Sequence, residues 1–357
     1  MAPQIYEKSE RLGPVSHEQL SRAFARLDLG AVRAVAPVPY GLFGQNIFVT
    51  TDAGEFVFRG APLVPWQFPT ERFFTKLLHE RTSVPVPWPY SIDASCDIFQ
   101  WAFVIMPRMP GLQVTDRELR RDLAPADLIA IARAMAQNLV AMQSLTMPHC
   151  SRYDPDRDLV RPVPISDHAA WPFNNGYGEV ADSPTHRELV IARVRCILDR
   201  ARGANDRTTT ADVEWVESLI DNADAALVEP FAPCFTMEDY KEGNAVLSRT
   251  PSGWKVTGLF DFMGCYFGDG ETDLARVSAE YFDEDPRLAR EFLTTYLRLK
   301  PARPGFAARF PLYMLLDRLI IWDHLQRNEA ATAANLGTLR NWAEFYTLIA
   351  NRLGISG

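Results

Sequence analysis

Residues 235–274 read FTMEDYKEGNAVLSRTPSGWKVTGLFDFMGCYFGDGETDL, and this stretch decides the fold. Ala245 to Ser248 form a short apolar run, Arg249 to Gly253 a turn cluster, and Trp254 to Phe260 a second run rich in β-formers. The pattern predicts a hairpin, which returns its ends to one place and so brings Asp261 close to Asn244 and Asp239. Two carboxylates and an amide oxygen at one sheet end make a hard-oxygen site, suited to Mg²⁺ holding a polyphosphate. One of the carboxylates is alternatively a proton acceptor for an attacking hydroxyl. Taken singly, an Asp or Asn near a turn reads as an ordinary hairpin or capping residue. The spacing of all three, followed by GDGETDLA, carries the functional reading.

That spacing matches the catalytic loop of protein kinases: an Asp base, four residues, a metal-binding Asn, and a metal-binding Asp after a hairpin. More closely, the stretch resembles the aminoglycoside phosphotransferase family of small-molecule kinases. Their loop usually reads H-G-D-x-x-x-x-N, and a later segment reads I-D-W/F, then G-D-P-x-x-D-L-A. Here the loop is Met237-Glu238-Asp239-Tyr240-Lys241-Glu242-Gly243-Asn244, followed by Asp261-Phe262, Gly268-Asp269 and Asp273-Leu274-Ala275. Met237 stands where the family usually has His, Glu238 where it has Gly, and Gly270 where it has Pro. The family's His mostly braces the loop.

Composition agrees with an enzyme of this kind and excludes several other classes. At 357 residues the chain is long enough for about two lobes with a sizeable core. Hydrophobic residues at 47% and charged residues at 23% place it with globular proteins rather than disordered ones. A net charge of −8 argues against a nucleic-acid partner, and no apolar run is long enough for a membrane span. The five cysteines are scattered with no CxxC, so neither a disulfide framework nor a zinc site is expected, and they read as reduced thiols in a cytosol. No signal peptide is read at the start, which gives a cytoplasmic expectation. Nothing specifies an oligomeric state.

In chain order, SHEQLSRAFARLDLG reads as a helix capped by Ser16 and stopped at Gly30, and residues 36–60 read as a β-meander. Gly41 and Gly44 fall where kinase-like folds lay a loop over nucleotide phosphates, and glycine there admits a close backbone approach. Arg59 ends the third strand in Val57-Phe58-Arg59, matching a V-L-R pattern of the family, and its guanidinium offers two donors to an oxyanion. The segment TERFFTKLLHERT reads as a helix with Glu71 on its first turn, six residues before Leu77 as in the family. Glu71 is therefore the candidate partner of Arg59, although a first-turn Glu also simply suits the helix dipole. Val84-Pro85-Val86-Pro87 resembles a further family segment. FQWAFVIM (99–106) reads as a continuous strand leading to a hinge at Pro107–Gly111. The resemblance places backbone groups of Met106 to Arg108 against adenine and Ile105 near it.

Beyond 122 the pattern turns helical: one long helix to Leu145, an irregular insert at 146–185, two helices at 186–228, and others near 273–282, 286–299, 308–327 and 331–352. Trp171, Phe173 and Tyr177 in the insert are candidates for acceptor contact, with loop packing the plainer reading. Asp317 and Asp323 are the candidate acceptor-binding carboxylates, six residues apart and so not on one helix face. The expected fold is α+β and protein-kinase-like. Residues 1–107 would form a nucleotide-binding lobe with a small antiparallel sheet and one key helix. Residues 108–357 would form a larger, mainly helical lobe. The resemblance implies an ATP-dependent, Mg²⁺-requiring kinase that phosphorylates a hydroxyl of a small molecule, an aminoglycoside or a related antibiotic or metabolite. Asp239 would be the catalytic residue, Asn244 and Asp261 the metal ligands, and Arg59 and Glu71 the phosphate grip. The competing reading is a nucleotide-binding pseudokinase acting as a regulatory or interaction module, prompted by Met237-Glu238 in place of His-Gly. Asp269 and Asp273 match bracing residues of the family.

Overall fold

Strand alternation builds the N-terminal region around one sheet with two different faces. Strands β1 (Val32–Pro37), β2 (Gln45–Thr51), β3 (Gly54–Gly60), β4 (Ser91–Asp93) and β5 (Phe103–Pro107) form an antiparallel sheet in the order β1-β2-β3-β5-β4. Ile47, Val49, Phe58, Phe103 and Ile105 point to one face, where helix α1 (His17–Arg26) covers them with Leu20, Ala23 and Phe24. Ser16 and Gln19 close a capping box at the start of that helix. Because side chains alternate along a strand, Val57, Arg59, Val104 and Met106 point to the opposite face. There they meet Phe68 of helix α2 (Gln67–Arg81) and Tyr90. The computed structural model describes residues 15–38, 45–162, 185–204, 206–228, 231–328 and 335–355. Gly41, Gly44, Trp171, Phe173 and Tyr177 lie outside them.

The C-terminal region is helical around a small sheet. A short helix α3 (Arg117–Asp122), not expected from the sequence, precedes the long helix expected from 122, which forms as α4 (Pro125–Met142) with Pro125 at its first position. Strands β6 (Ser151–Asp154) and β7 (Leu159–Pro162) are followed by α5 (His186–Ala204), α6 (Thr210–Leu227) and β8 (Cys234–Thr236). The predicted hairpin forms as β9 (Ala245–Thr250) and β10 (Gly253–Leu259), with Ala245 opposite Leu259. Strand β11 (Tyr266–Gly268) then pairs with β6 and β8 in a sheet ordered β7-β6-β11-β8. The segment read as an irregular insert thus begins with two sheet strands, each too short to show a period. Helices α7 (Leu274–Glu284), α8 (Pro286–Leu299), α9 (Phe306–Asn328), α10 (Leu339–Thr347) and α11 (Ile349–Arg352) complete the chain. Among the described residues, the helix expected over 331–352 is interrupted at Gly337 in left-handed backbone, resumes at Leu339 capped by Thr338, and breaks at Leu348.

Aromatic packing joins the two regions. Phe74 of α2 lies edge-on to Phe235 at 5.4 Å, and Phe73 stacks on Tyr153 at 4.0 Å. The strand read at 99–106 begins only at Phe103, since Gln100 adopts a left-handed turn conformation (φ 63°).

Candidate active site

The hairpin sets the site. Its last pair lies beside Asn244, whose carbonyl accepts from Phe260 N–H at 2.9 Å, so Asp261 emerges next to the loop that carries Asp239. The loop is fastened from below. Asp273 accepts the Met237 N–H at 2.9 Å and the Glu238 N–H at 2.7 Å, and Tyr240 turns inward to donate to the Met135 carbonyl at 2.7 Å. Glu242 is buried and accepts from Arg120 at 2.7 Å and from the Tyr281 hydroxyl at 2.5 Å. With Tyr240 inward, Asp239 and Lys241 point the other way.

Asp239 is 33% exposed and touches three donors. Lys241 Nζ reaches Oδ2 at 2.7 Å, Arg276 reaches Oδ1 at 2.9 Å, and Asn244 Nδ2 lies 3.1 Å from Oδ2. Burial works to raise its pKa, but Lys241, Arg276 and the hydrogen bonds outweigh it and hold the carboxyl far below its usual range. Asp239 is therefore a firmly ionised hydrogen-bond acceptor facing the cleft.

Asn244 donates from Nδ2 to the Asp239 carbonyl as well, at 2.8 Å, and among the described residues its Oδ1 takes no hydrogen bond. Asp261 has no side-chain hydrogen bond or ion pair among the described residues. It lies within the electrostatic reach of Arg59, Glu71, Asp239 and Lys241. Burial raises its pKa to about 6, against the pull of Arg59 and with the push of Glu71 and Asp239. A desolvated carboxylate without a partner, beside an outward amide oxygen, is a donor pair that a hard divalent cation satisfies. The chemistry of these two residues fits Mg²⁺, with phosphate and water oxygens completing its shell. No group of three or more His, Cys, Asp and Glu gathers at a metal position among the described residues.

Arg59 donates to Glu71 at 2.7 Å. Helix α2 begins at Gln67, so Glu71 sits a turn deeper than the first turn expected for it and is buried. Its surroundings are specific rather than dipolar: Gln67 Nε2 donates to it at 2.9 Å and the Tyr90 hydroxyl at 2.6 Å. At the hinge, Met106 is buried and pairs with Val57. The Arg108 N–H is used by the Glu55 carbonyl at 3.0 Å, and its guanidinium stacks on Phe48 at 4.0 Å.

The two acids offered to an acceptor are held by arginines. Asp317 is buried and pairs with Arg276 at 2.5 Å and with Arg318. Asp323 pairs with Arg200, and with Arg327 at 2.9 Å. Sequence reasoning passed over Lys241, Arg276 and Glu280. Lys241 stood in plain view two residues after Asp239, and Arg276 directly follows Leu274-Ala275. Glu280, one turn beyond Arg276, is exposed near Lys241 and Arg276 and has no hydrogen bond or ion pair among the described residues.

A model of the phosphotransferase enzyme family matches residues 35–309, and the chain belongs to that family. Its fold is that of aminoglycoside phosphotransferase APH(4)-Ia, with 15% identity over 96% of this chain and 100% of that one, and a TM-score of 0.59. A thermostable mutant of the same enzyme, in a ternary complex with ADP and hygromycin B, is 17% identical over 94% and 99% of the two chains (TM-score 0.59). A mutant aminoglycoside 2'-phosphotransferase-IIIa in complex with GDP is 12% identical over 95% and 96% (TM-score 0.56). At these identities the likeness is one of fold. No curated protein matches the chain.

Proposed function

We propose that this chain is a nucleotide-dependent small-molecule kinase that transfers the γ-phosphoryl group of ATP to a hydroxyl of its acceptor. The observation that carries the reading is the convergence of Asp239, Asn244 and Asp261 at one end of the hairpin, with Arg59 and Glu71 facing them. Family membership and the fold shared with nucleotide-bound phosphotransferases support it.

In this reading the division between lobes falls at Pro107 and Arg108, with nucleotide in between. Asn244 Oδ1 and Asp261 hold Mg²⁺, which when bound neutralises charge on the phosphates. Arg59, kept straight by Glu71, steadies the α- and β-phosphates, and Gly41 and Gly44 belong to the loop over them. Adenine lies against the hinge from Met106 to Arg108. Since the Arg108 N–H already serves β3, the alternation of the antiparallel pair turns the neighbouring Pro107 carbonyl away from β3, to the side where the ring would lie. Asp239 orients the acceptor hydroxyl. The hydroxyl oxygen bonds to the γ-phosphorus as the bond to the β-phosphate oxygen breaks. ADP leaves with that electron pair and the proton passes to Asp239. A carboxyl held so firmly ionised takes the proton late, so most of the catalysis is placement and charge stabilisation.

An aminoglycoside is among the candidate acceptors, in keeping with the chain's net charge of −8. With Asp317 and Asp323 paired internally, Glu280, without a partner among the described residues, is an acid able to meet an acceptor amine. The test is turnover with Mg²⁺ and ATP or GTP over aminoglycosides, macrolides, sugars and amino alcohols, beside Asp239→Ala. Acceptor-dependent turnover that the variant loses while still binding nucleotide is the expected result. Nucleotide binding without turnover on any acceptor would contradict the kinase and favour the pseudokinase.

A further inference from the structure

Asp239 needs a fixed direction, and the donors of its own loop, Lys241 and Asn244, reach only one of its two oxygens, Oδ2. Met237, where related loops carry a bracing His, is wholly buried and offers no side-chain donor. Lys241 and Asn244 belong to the same short loop, and Oδ1 is left to a donor from outside it. Among the described residues, Arg276 on α7 is the one donor from another element that reaches the Asp239 carboxylate.

Arg276 is in turn held from behind. Its Nε donates to Asp317 on α9 at 2.5 Å, while the other arm of the fork reaches Asp239 at 2.9 Å. Asp317 also accepts from Arg318 Nε at 2.9 Å, and the Arg318 guanidinium lies over Tyr346 of α10 at 4.7 Å. Charges alternate along this row from the catalytic loop into the helical core. A planar fork shared between two carboxylates has one geometry available to it, whereas a single ammonium has many. Arg276 is 14% exposed, so water competes weakly for either acid.

We propose that Arg276, held by Asp317, is a positioning residue that aims the Asp239 carboxylate at the acceptor hydroxyl. This rests on the phosphotransferase reading. Asp317 then serves the site through Arg276 rather than through the acceptor.

The test combines kinetics with structure. On an acceptor that the wild type phosphorylates, Arg276→Met is expected to lower kcat about 100-fold, the scale of a small misplacement of a reacting group. Nucleotide Kd should stay near wild type in the folded variant, while Tm should fall because Asp317 keeps only Arg318 as its ion-pair partner among the described residues. Asp317→Asn should lower kcat in the same direction by less, and ethylguanidinium should restore part of the rate to Arg276→Ala. Should Arg276→Met not fold, Arg276→Lys keeps the charge without the fork and should still lose about tenfold. A crystal structure of Arg276→Met or Arg276→Lys should show the Asp239 carboxylate turned from its present rotamer. Unchanged kcat, rate loss matched by equal loss of nucleotide binding, or an unmoved Asp239 would each overturn the proposal. Absence of any turnover by the wild type sinks the phosphotransferase reading instead, and the Asp239 rotamer still decides the positioning claim.

Discussion

Two residues of the catalytic loop region hold left-handed backbone that glycine adopts more readily: Glu238 at φ 74° and Asp261 at φ 70°. At 238 the resembling family usually has Gly, and here Glu238 gains an ion pair with buried Arg193 in exchange for the strain. Across the cleft, Arg59→Ala should weaken nucleotide binding by roughly 10- to 100-fold, the scale of a charge-assisted bond, read by calorimetric titration. Tyr90→Phe removes one of three bonds to Glu71 and should cost about 1 kcal/mol of stability with a smaller loss of affinity. His186 gives a pH signature. Burial holds its pKa at about 4, against the pull of Asp269, so the folded protein keeps it neutral while the unfolded chain protonates below about 6.5. Its contribution is thus complete above pH 6.5 and is lost as pH falls toward 4. Denaturant titrations should show wild type losing roughly 3 kcal/mol relative to His186→Gln across that window. Asp239, Asn244 and Asp261 were legible in the sequence because one hairpin fixes their spacing. Arg276 was not, because its role depends on α7 packing beneath the loop, and in the sequence it is one polar residue within the apolar run Leu274, Ala275, Val277.

At the scale of elements, the loop from Met237 to Asn244 is stiff because three others grip it. Asp273 takes its first two N–H groups, α4 takes Tyr240, and Arg120 of α3 joins Glu242 to Glu284 at 2.7 and 2.6 Å. Arg120→Ala leaves Glu242 buried with only Tyr281 as a partner. It should lower stability by about 3 kcal/mol, measured by chemical denaturation, whereas Glu242→Gln should cost less because no buried charge is stranded. Helix α2 shows what periodicity could and could not convey. Its apolar residues were readable, but its start was not, because Trp66 provides no side-chain cap. The error displaced Glu71 by a turn and left the dipole reading open until burial closed it. The strand at 99–106 and the helix at 331–352 are both less continuous than expected for a shared reason: backbone turns at Gln100 and Gly337 interrupt stretches whose composition runs on unbroken.

Over the whole molecule, the segment after β5 is strapped to the hairpin that separates Asn244 from Asp261. Leu112 and Leu247 exchange both backbone hydrogen bonds, at 2.8 and 3.0 Å. A Cβ on Gly111, at φ 138°, would stand 2.6 Å from Thr257 Oγ1 and 3.0 Å from the Leu247 carbonyl, and one on Gly258 would stand 2.4 Å from Met109 Cβ. Gly111→Ala and Gly258→Ala should each cost roughly 2 kcal/mol or more, read by thermal unfolding, and, on the proposed function, raise the nucleotide KM by moving the hinge against Asn244 and Asp261. The α+β class and the change from sheet to helices beyond the hinge could be read from patterning. The aromatic joint of Phe73 and Phe74 with Tyr153 and Phe235 could not, since it pairs residues far apart in the chain. The central claim is that Asn244, Asp261, Arg59 and Asp239 serve one bound nucleotide and its acceptor. The most direct measurement is a crystal structure with Mg²⁺ and a non-hydrolysable ATP analogue. It should show the cation on Asn244 Oδ1 and Asp261, phosphate oxygens on Arg59, and the γ-phosphate facing Asp239. Nucleotide bound elsewhere, or a γ-phosphate turned away from Asp239, would contradict it.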